Sequence, residues 1–327
     1  MGYVCSKCAP QEALIDLDDA FKHFFRKVAL KKAGQFHGKP GYPQYKSRKR
    51  GLGSFRLTGA IHIFEKSIQL PRLGLLRLKE RAYLPVGAKV AQATVSEHAG
   101  RWYVSIQVDD KLAEPEPALG PVIGIDLGIK TLAVVSDGRA IANPKAMRSR
   151  LKKLRRLSRW HARTQKGSAN RKKTQKKLAR MHARIAHIRE DALHQATASL
   201  VAKNKPQIER PAVIGMEDLN VRGMLKNRKL ACSIAEVGFS EFRRQLTYKT
   251  AQAGVVLHVV SRWEPSSKTC SSCGWYKNDL QLSNRVFCCS ACGLAMDRDA
   301  NAARNLALLA YLELCSTASY AGIHASG

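Results

Sequence analysis

Three acidic residues stand where an α/β sheet would bring them together. Asp126 ends the apolar run Val122-Ile123-Gly124-Ile125, Glu217 ends the run Ala212 to Met216, and Asp299 sits in Asp297-Arg298-Asp299-Ala300-Asn301-Ala302-Ala303. Short apolar runs bounded by turn residues read as buried strands, and the stretch after Asp299 reads as a helix start. Two carboxylates at matching ends of neighbouring strands, with a third across from them on a helix terminus, make a pocket for divalent cations. Mg2+ takes carboxylates and waters octahedrally, and two such ions can activate water and stabilise the leaving oxygen in phosphodiester hydrolysis. Each acid also has an ordinary reading: Asp126 as a turn residue before Gly128, Glu217 as a surface acid beside Asp218, Asp299 as a helix N-cap. Their joint occurrence favours the metal site, with Asp297 the competitor for third ligand. Ala300, Ala302 and Ala303 permit close approach of a helix to a sheet, and Asn301 and Asn305 are expected to add polar contacts beside the acid.

A second metal is written in the cysteines. Cys270, Cys273, Cys289 and Cys292 form a C-x2-C-x15-C-x2-C array. Two thiolates from each of two tight turns supply the tetrahedron of soft ligands that a structural Zn2+ requires. Gly274 and Gly293 follow the second cysteine of each pair, where the backbone must fold under the metal. Cys288 has no spacing partner, and Cys5-x-x-Cys8 is half a site without a second pair in view, so it is read as chance or frameshift. Disulfides are the competing reading. A chain lacking an apolar secretory leader is expected in the reducing cytoplasm, which favours zinc.

Charge bounds the partner. The 327 residues carry 56 Lys and Arg against 25 Asp and Glu, a formal net charge of +31, which implies a polyanion and by default nucleic acid. No stretch approaches the roughly 18 apolar residues needed to span a bilayer, and Met1-Gly2 followed by Ser6 is read as a chance match to a lipidation pattern. The basic residues are concentrated: residues 145–189 hold eighteen Lys or Arg and no acid. An unbroken single-sign block repels itself, so a phosphate-tracking role is favoured over a solvated face. Lys152, Lys153, Arg155, Arg156, Arg159, Arg163, Lys172, Lys173, Lys176 and Lys177 are the expected nucleic-acid contacts.

At 45% hydrophobic residues the chain can bury one or two cores. Residues 11–33 read as an amphipathic helix whose stripe of Leu14, Leu17, Phe21, Phe24 and Phe25 should pack. Short alternating segments follow (54–58, 60–64, 67–70, 75–78, 88–96 and 102–108), suggesting a small antiparallel barrel or sandwich. The basic block reads as two helices turning at Lys166-Gly167-Ser168-Ala169-Asn170, with Leu151, Leu154, Leu157 and Trp160 on one arm facing Leu178, Met181, Ile185 and Ile188. A helix from Phe239 to Ala253, with Gly254 as its cap, leads to a last strand, Val255 to Val260.

The motifs Gly124-Ile125-Asp126-Leu127-Gly128-Ile129-Lys130, Gly215-Met216-Glu217-Asp218-Leu219-Asn220, Thr269-Cys270-Ser271-Ser272-Cys273-Gly274 and Asp297 to Ala303 together resemble the TnpB family, transposon-encoded proteins related to type V CRISPR effectors. The likeness runs from about Pro10 to Ala310. It implies an α/β RNase H-like (RuvC) nuclease fold with an inserted basic helical hairpin and zinc ribbon, preceded by a small β-barrel-like domain. The expected organisation is a helical remnant at 1–36, the β-rich domain at 37–111 and a linker at 112–120. The nuclease follows at 121–262 with the hairpin at 145–203, then the zinc insert at 263–296, a closing nuclease helix at 297–310 and a tail at 311–327.

The resemblance further implies that Asp126, Glu217 and Asp299 bind two Mg2+ ions, that the four cysteines hold one Zn2+, and that a guide RNA from the same locus directs cleavage of target DNA. Base pairing then supplies sequence choice while the protein reads shape and phosphates. Relative to that family the front is short, since only Met1 to Pro10 precede the segment resembling it. The leading expectation is an RNA-guided, Mg2+-dependent endonuclease. The alternatives are a non-cleaving guide-RNA and DNA-binding protein, acting as a repressor or left by a decayed element, and an unguided RNase H-like nuclease or transposase.

Overall fold

The computed structural model describes residues 8–44, 53–81, 88–109, 114–281 and 283–324, with side chains in the last helix described to residue 316. Met1, Gly2, Cys5 and Ser6 lie outside the described residues. The chain divides into two compact units, 1–112 and 113–327.

The first unit contains α1 (Cys8–Lys32), β1 (Ser54–Leu57), β2 (His62–Ile63), β3 (Ser67–Leu70), β4 (Gly74–Arg77), β5 (Val90–His98) and β6 (Arg101–Val108). Among the described residues the strands pair as two separate three-stranded sheets, β1-β5-β6 and β2-β3-β4, rather than as one closed ring. Alternation sends Leu57, Ile63, Ile68, Leu70, Ala93 and Val95 into a shared core. The packing stripe expected on α1 is corrected here: Leu14, Leu17 and Phe25 stay exposed. The helix is held instead by Arg56, which pairs with Glu12 and Asp16, and by Phe21 and Phe24 closing edge-on against Tyr42.

The second unit begins inside the stretch read as a linker. Ala118 is buried in its core, donating to the Gly254 carbonyl at 2.8 Å. Strands β7 (Gly120–Leu127), β8 (Thr131–Val135) and β9 (Ala140–Ala142) lead to α2 (Leu151–Arg163) and α3 (Ala169–Val201). Then come β10 (Pro211–Glu217), α4 (Val221–Met224), α5 (Ala231–Val237), α6 (Phe239–Ala251), β11 (Val256–Val260), β12 (Val286–Cys288), β13 (Ala295–Asp297) and α7 (Arg298–His324). The main sheet has the order β11-β10-β7-β8-β9. Its β7-β8-β9 half is an antiparallel meander, and β10 and β11 add in parallel, an RNase H-like arrangement. Covered on both faces, β7 and β10 read as continuous apolar runs. Ile123, Ile125, Ile214 and Met216 face α3 and α6 through Leu193, Leu200, Phe242 and Leu246, all buried.

α2 and α3 turn at Gly167, whose φ is +85°, and Ser168 caps α3 by accepting from the Arg171 N–H at 3.1 Å. Their seam is Met181 and Ile185 against Leu154 and Leu157. Trp160 departs from the expected seam: it is 46% exposed, with the Lys177 ammonium 4.6 Å above its ring. The later part of α3, from Leu193, belongs to the main core, so one helix carries the basic arm outward and anchors it. Among the described residues no helix is long and apolar enough to cross a membrane.

Candidate functional site

Asp126 is the penultimate residue of β7 and Glu217 the last of β10, and the pairing of Ile125 with Met216 sets them beside each other on one face. The same face carries Gly124 and Gly215, paired two positions earlier. α7 crosses this face at backbone contact. A Cβ on Gly124 would stand 1.9 Å from the Ala303 carbonyl oxygen, and one on Gly215 would stand 2.4 Å from that of Leu306. Only glycine admits such an approach. With Ala303 lying over Gly124, the preceding turn of α7 brings Asp299 to the end of the strands where Asp126 and Glu217 emerge.

Asp297, the competitor, has another task. Its Oδ1 accepts from the N–H groups of Asp299 and Ala300 at 2.9 and 3.0 Å, which makes it the cap of α7 and leaves the Asp299 side chain available. Asp299 instead faces Arg298 at 3.1 Å and Arg285 at 3.8 Å. Asp218, next to Glu217, is engaged by Arg243 at 2.5 Å and by Arg262. Arg243, Arg262 and Arg285 were not singled out in the sequence, because their pairs join distant positions and no local pattern announces them. A cleft of about 270 Å3 opens beside Glu217, with Asn220, Arg222, Arg243 and Arg262 among its walls.

The acids sense one another. Burial, then the charges of Asp299 and Glu217, push the Asp126 carboxyl up to about 8, against a partial pull from Arg298. Burial and the neighbouring Asp218 also raise Glu217, with Arg262 opposing. Among the described residues, the group gathered closely enough to hold one metal ion is that of Cys270, Cys273, Cys289 and Cys292, whose Sγ atoms all lie within 4.8 Å of one another.

The cysteine cluster is built from two matching turns. The N–H groups of Gly274 and Gly293 reach the carbonyls of Cys270 and Cys289 at 3.0 and 3.1 Å, with φ of +76° and +74° at the glycines. The Cys270 and Cys289 N–H groups each bond at 2.8 Å to the carbonyl beyond their turn, on Trp275 and Leu294. Sγ atoms of Cys270 and Cys292 lie 3.7 Å apart, and those of Cys273 and Cys289 3.6 Å apart. A tetrahedron with Zn–S of about 2.3 Å has edges of about 3.8 Å, so the four thiolates fit a zinc ion. Phe287, fully buried, forms a small core with Cys270 and Cys289. Cys288 is exposed.

Asn301 and Asn305 do not serve the carboxylates directly, as the sequence suggested. Both are buried and bond to the backbone around Cys270. The ten basic residues expected to meet phosphates are all exposed along α2 and the start of α3.

Residues 93–228 match the family model OrfB_IS605, "Probable transposase", and residues 239–306 match "Cas12f1-like, TNB domain". A Streptomyces pristinaespiralis protein named "Putative RNA-guided DNA endonuclease" is 40% identical over 306 residues, covering 90% of this chain and 69% of its own length. InsQ of Escherichia coli (strain K12), which carries the same description, is 33% identical over 314 residues, covering 90% and 72%. The CRISPR-associated endodeoxyribonuclease Cas12f1 of Sulfoacidibacillus thermotolerans is 25% identical over 231 residues, covering 67% and 52%. The chain belongs to the TnpB family.

Proposed function

We propose that the chain is an RNA-guided, Mg2+-dependent DNA endonuclease of a transposable element. The observation that carries the reading is the meeting of Asp126, Glu217 and Asp299 at one end of the sheet under α7, in a chain of this family. Asp126 and Glu217 would hold one ion and Asp126 and Asp299 the other. Ligands divided between two ions need not all touch each other. Bound there, Mg2+ would supply Lewis acidity and an activated water for in-line attack at phosphorus.

The residues of this chain set the conditions for that chemistry. Asp126, pushed up to about 8 by burial and like charge, would act as a ligand in its deprotonated form, which a neighbouring cation would favour. Arg298 and Arg285 neutralise Asp299 in the meantime. Arg243 and Arg262 engage Asp218, so the pocket's ligand from this segment is Glu217. The exposed basic face of α2 and α3 would track the backbone of a guide RNA from the same locus and of the target DNA, while base pairing supplies sequence choice. One structural Zn2+ would hold the ribbon. Its thiolates require a reducing compartment, which points to the cytoplasm.

The test is plasmid cleavage by the chain purified with RNA from its own locus, in Mg2+, beside Asp126→Ala. Cleavage by the wild type alone is expected. Equal cutting by both removes the catalytic assignment, and cutting by neither favours a non-cleaving binding protein. RNA of one defined sequence in the purified complex separates guided from unguided action.

A further inference from the structure

The first turns of α7 are fastened to the cysteine ribbon twice. One fastening is covalent: β13 ends at Asp297 and α7 starts at Arg298, so the turn holding Cys289 and Cys292 runs through β13 into the helix with no loop between. The other is a set of hydrogen bonds to the opposite cysteine pair. Asn301, fully buried, donates through Nδ2 to the Thr269 carbonyl at 2.7 Å and accepts through Oδ1 from the Ser271 N–H at 2.9 Å. Asn305 donates to the same Thr269 carbonyl at 2.6 Å and to that of Ser266 at 2.7 Å. Thr269 and Ser271 flank Cys270, itself buried.

Buried amides are costly unless their bonds are made. Four such bonds to main-chain atoms therefore fix the helix at one position against the turn, where an apolar contact would let it slide. Asp299 lies between the covalent splice and the Asn301 clamp.

We propose that the zinc site positions the active-site carboxylate: Zn2+ joins the two cysteine pairs, and through the splice and the Asn301/Asn305 clamp it holds Asp299 at the metal pocket. Without zinc the two fastenings move independently and Asp299 loses its place. Asn301 and Asn305 are positioning residues, since neither touches the pocket. The inference rests on the proposed divalent-metal site. Zinc and the active-site cation are then linked, each tightening the other by the same factor.

The test uses the zinc-loaded full chain without nucleic acid. Mn2+ binding is followed by calorimetry in the wild type, Asn301→Ala, Asp299→Ala and Asp126→Ala, with zinc content measured in each. Asn301→Ala should keep its zinc and bind Mn2+ at least about five-fold more weakly. In the wild type, millimolar Mg2+ should slow transfer of zinc to a chelator that does not take Mg2+, and the slowing should vanish in Asp299→Ala. That second measurement holds even if Asn301→Ala fails to fold. Unchanged Mn2+ binding in zinc-loaded Asn301→Ala, or zinc transfer indifferent to Mg2+ in the wild type, overturns the clamp. Mn2+ binding equal in wild type and Asp126→Ala overturns the metal site itself, and the clamp with it. Mn2+ binding that needs Asp126 but not Asn301 overturns the clamp alone.

Discussion

Replacing Asp126 by Asn should stabilise the metal-free protein, and the gain should grow with pH. In the folded chain burial and the charges of Asp299 and Glu217 hold this carboxyl near 8, against an ordinary 3.8. Between those values the unfolded chain has lost the proton and the folded chain keeps it. The folded state binds more protons, so stability falls as pH rises from about 4 to about 8 and is level above. At about 1.36 kcal/mol per pH unit the loss near pH 7 has a ceiling of about 4 kcal/mol. Asp126 is half-buried, so water and relaxation reduce this, and about 2–3 kcal/mol is expected. Asn keeps the shape and cannot ionise. Urea unfolding of the zinc-loaded, Mg2+-free protein should therefore give Asp126→Asn an advantage close to zero at pH 4 and about 2–3 kcal/mol at pH 7, growing further to pH 8. Added Mg2+ should stabilise the wild type and not the variant. No gain at pH 8, or a larger gain at pH 4 than at pH 8, would refute the reasoning.

Gly124→Ala drives a methyl into the Ala303 carbonyl 1.9 Å away, so it should lower the unfolding free energy by about 3 kcal/mol or more and abolish cleavage; a Tm equal to wild type contradicts this. Elemental analysis should find one zinc per chain, lost in Cys270→Ser together with cooperative folding of the ribbon, and absence of zinc from the wild type defeats the assignment. Changing Lys152, Lys153, Arg155 and Arg156 to Gln should weaken DNA and RNA binding without regard to sequence. It should also flatten the slope of log affinity against log salt by about 3–4, and an unchanged slope would place the phosphates elsewhere.

The parts of this molecule that were legible in sequence are those whose determinants are local. The cysteine turns are set by spacing within a few residues, and each turn carries its own glycine. The buried strands β7 and β10 announced themselves as apolar runs ending on acids. Roles decided by distant partners were not legible. Asp297 and Asp299 are chemically alike, and which of them caps α7 depends on where β13 hands over to the helix. Asn301 and Asn305 sit beside the acid in sequence, yet their amides turn to Thr269, Ser271 and Ser266 across the fold. A usable signal was present and unread: both strands carry glycine two residues before the acid, and those glycines admit α7. In the first unit, alternation showed strands without partners, so two separate sheets were not foreseeable. The stripe on α1 has a helical period, but period does not say what covers a face.

The central claim is that Asp126, Glu217 and Asp299 share divalent cations. Anomalous diffraction from crystals of the RNA-bound chain soaked in Mn2+ tests it most directly. Two peaks about 3.5–4 Å apart are expected, both touching Asp126, one reaching Glu217 and the other Asp299. Density for Mn2+ that avoids Asp126, with these three carboxylates left bare, would contradict the account.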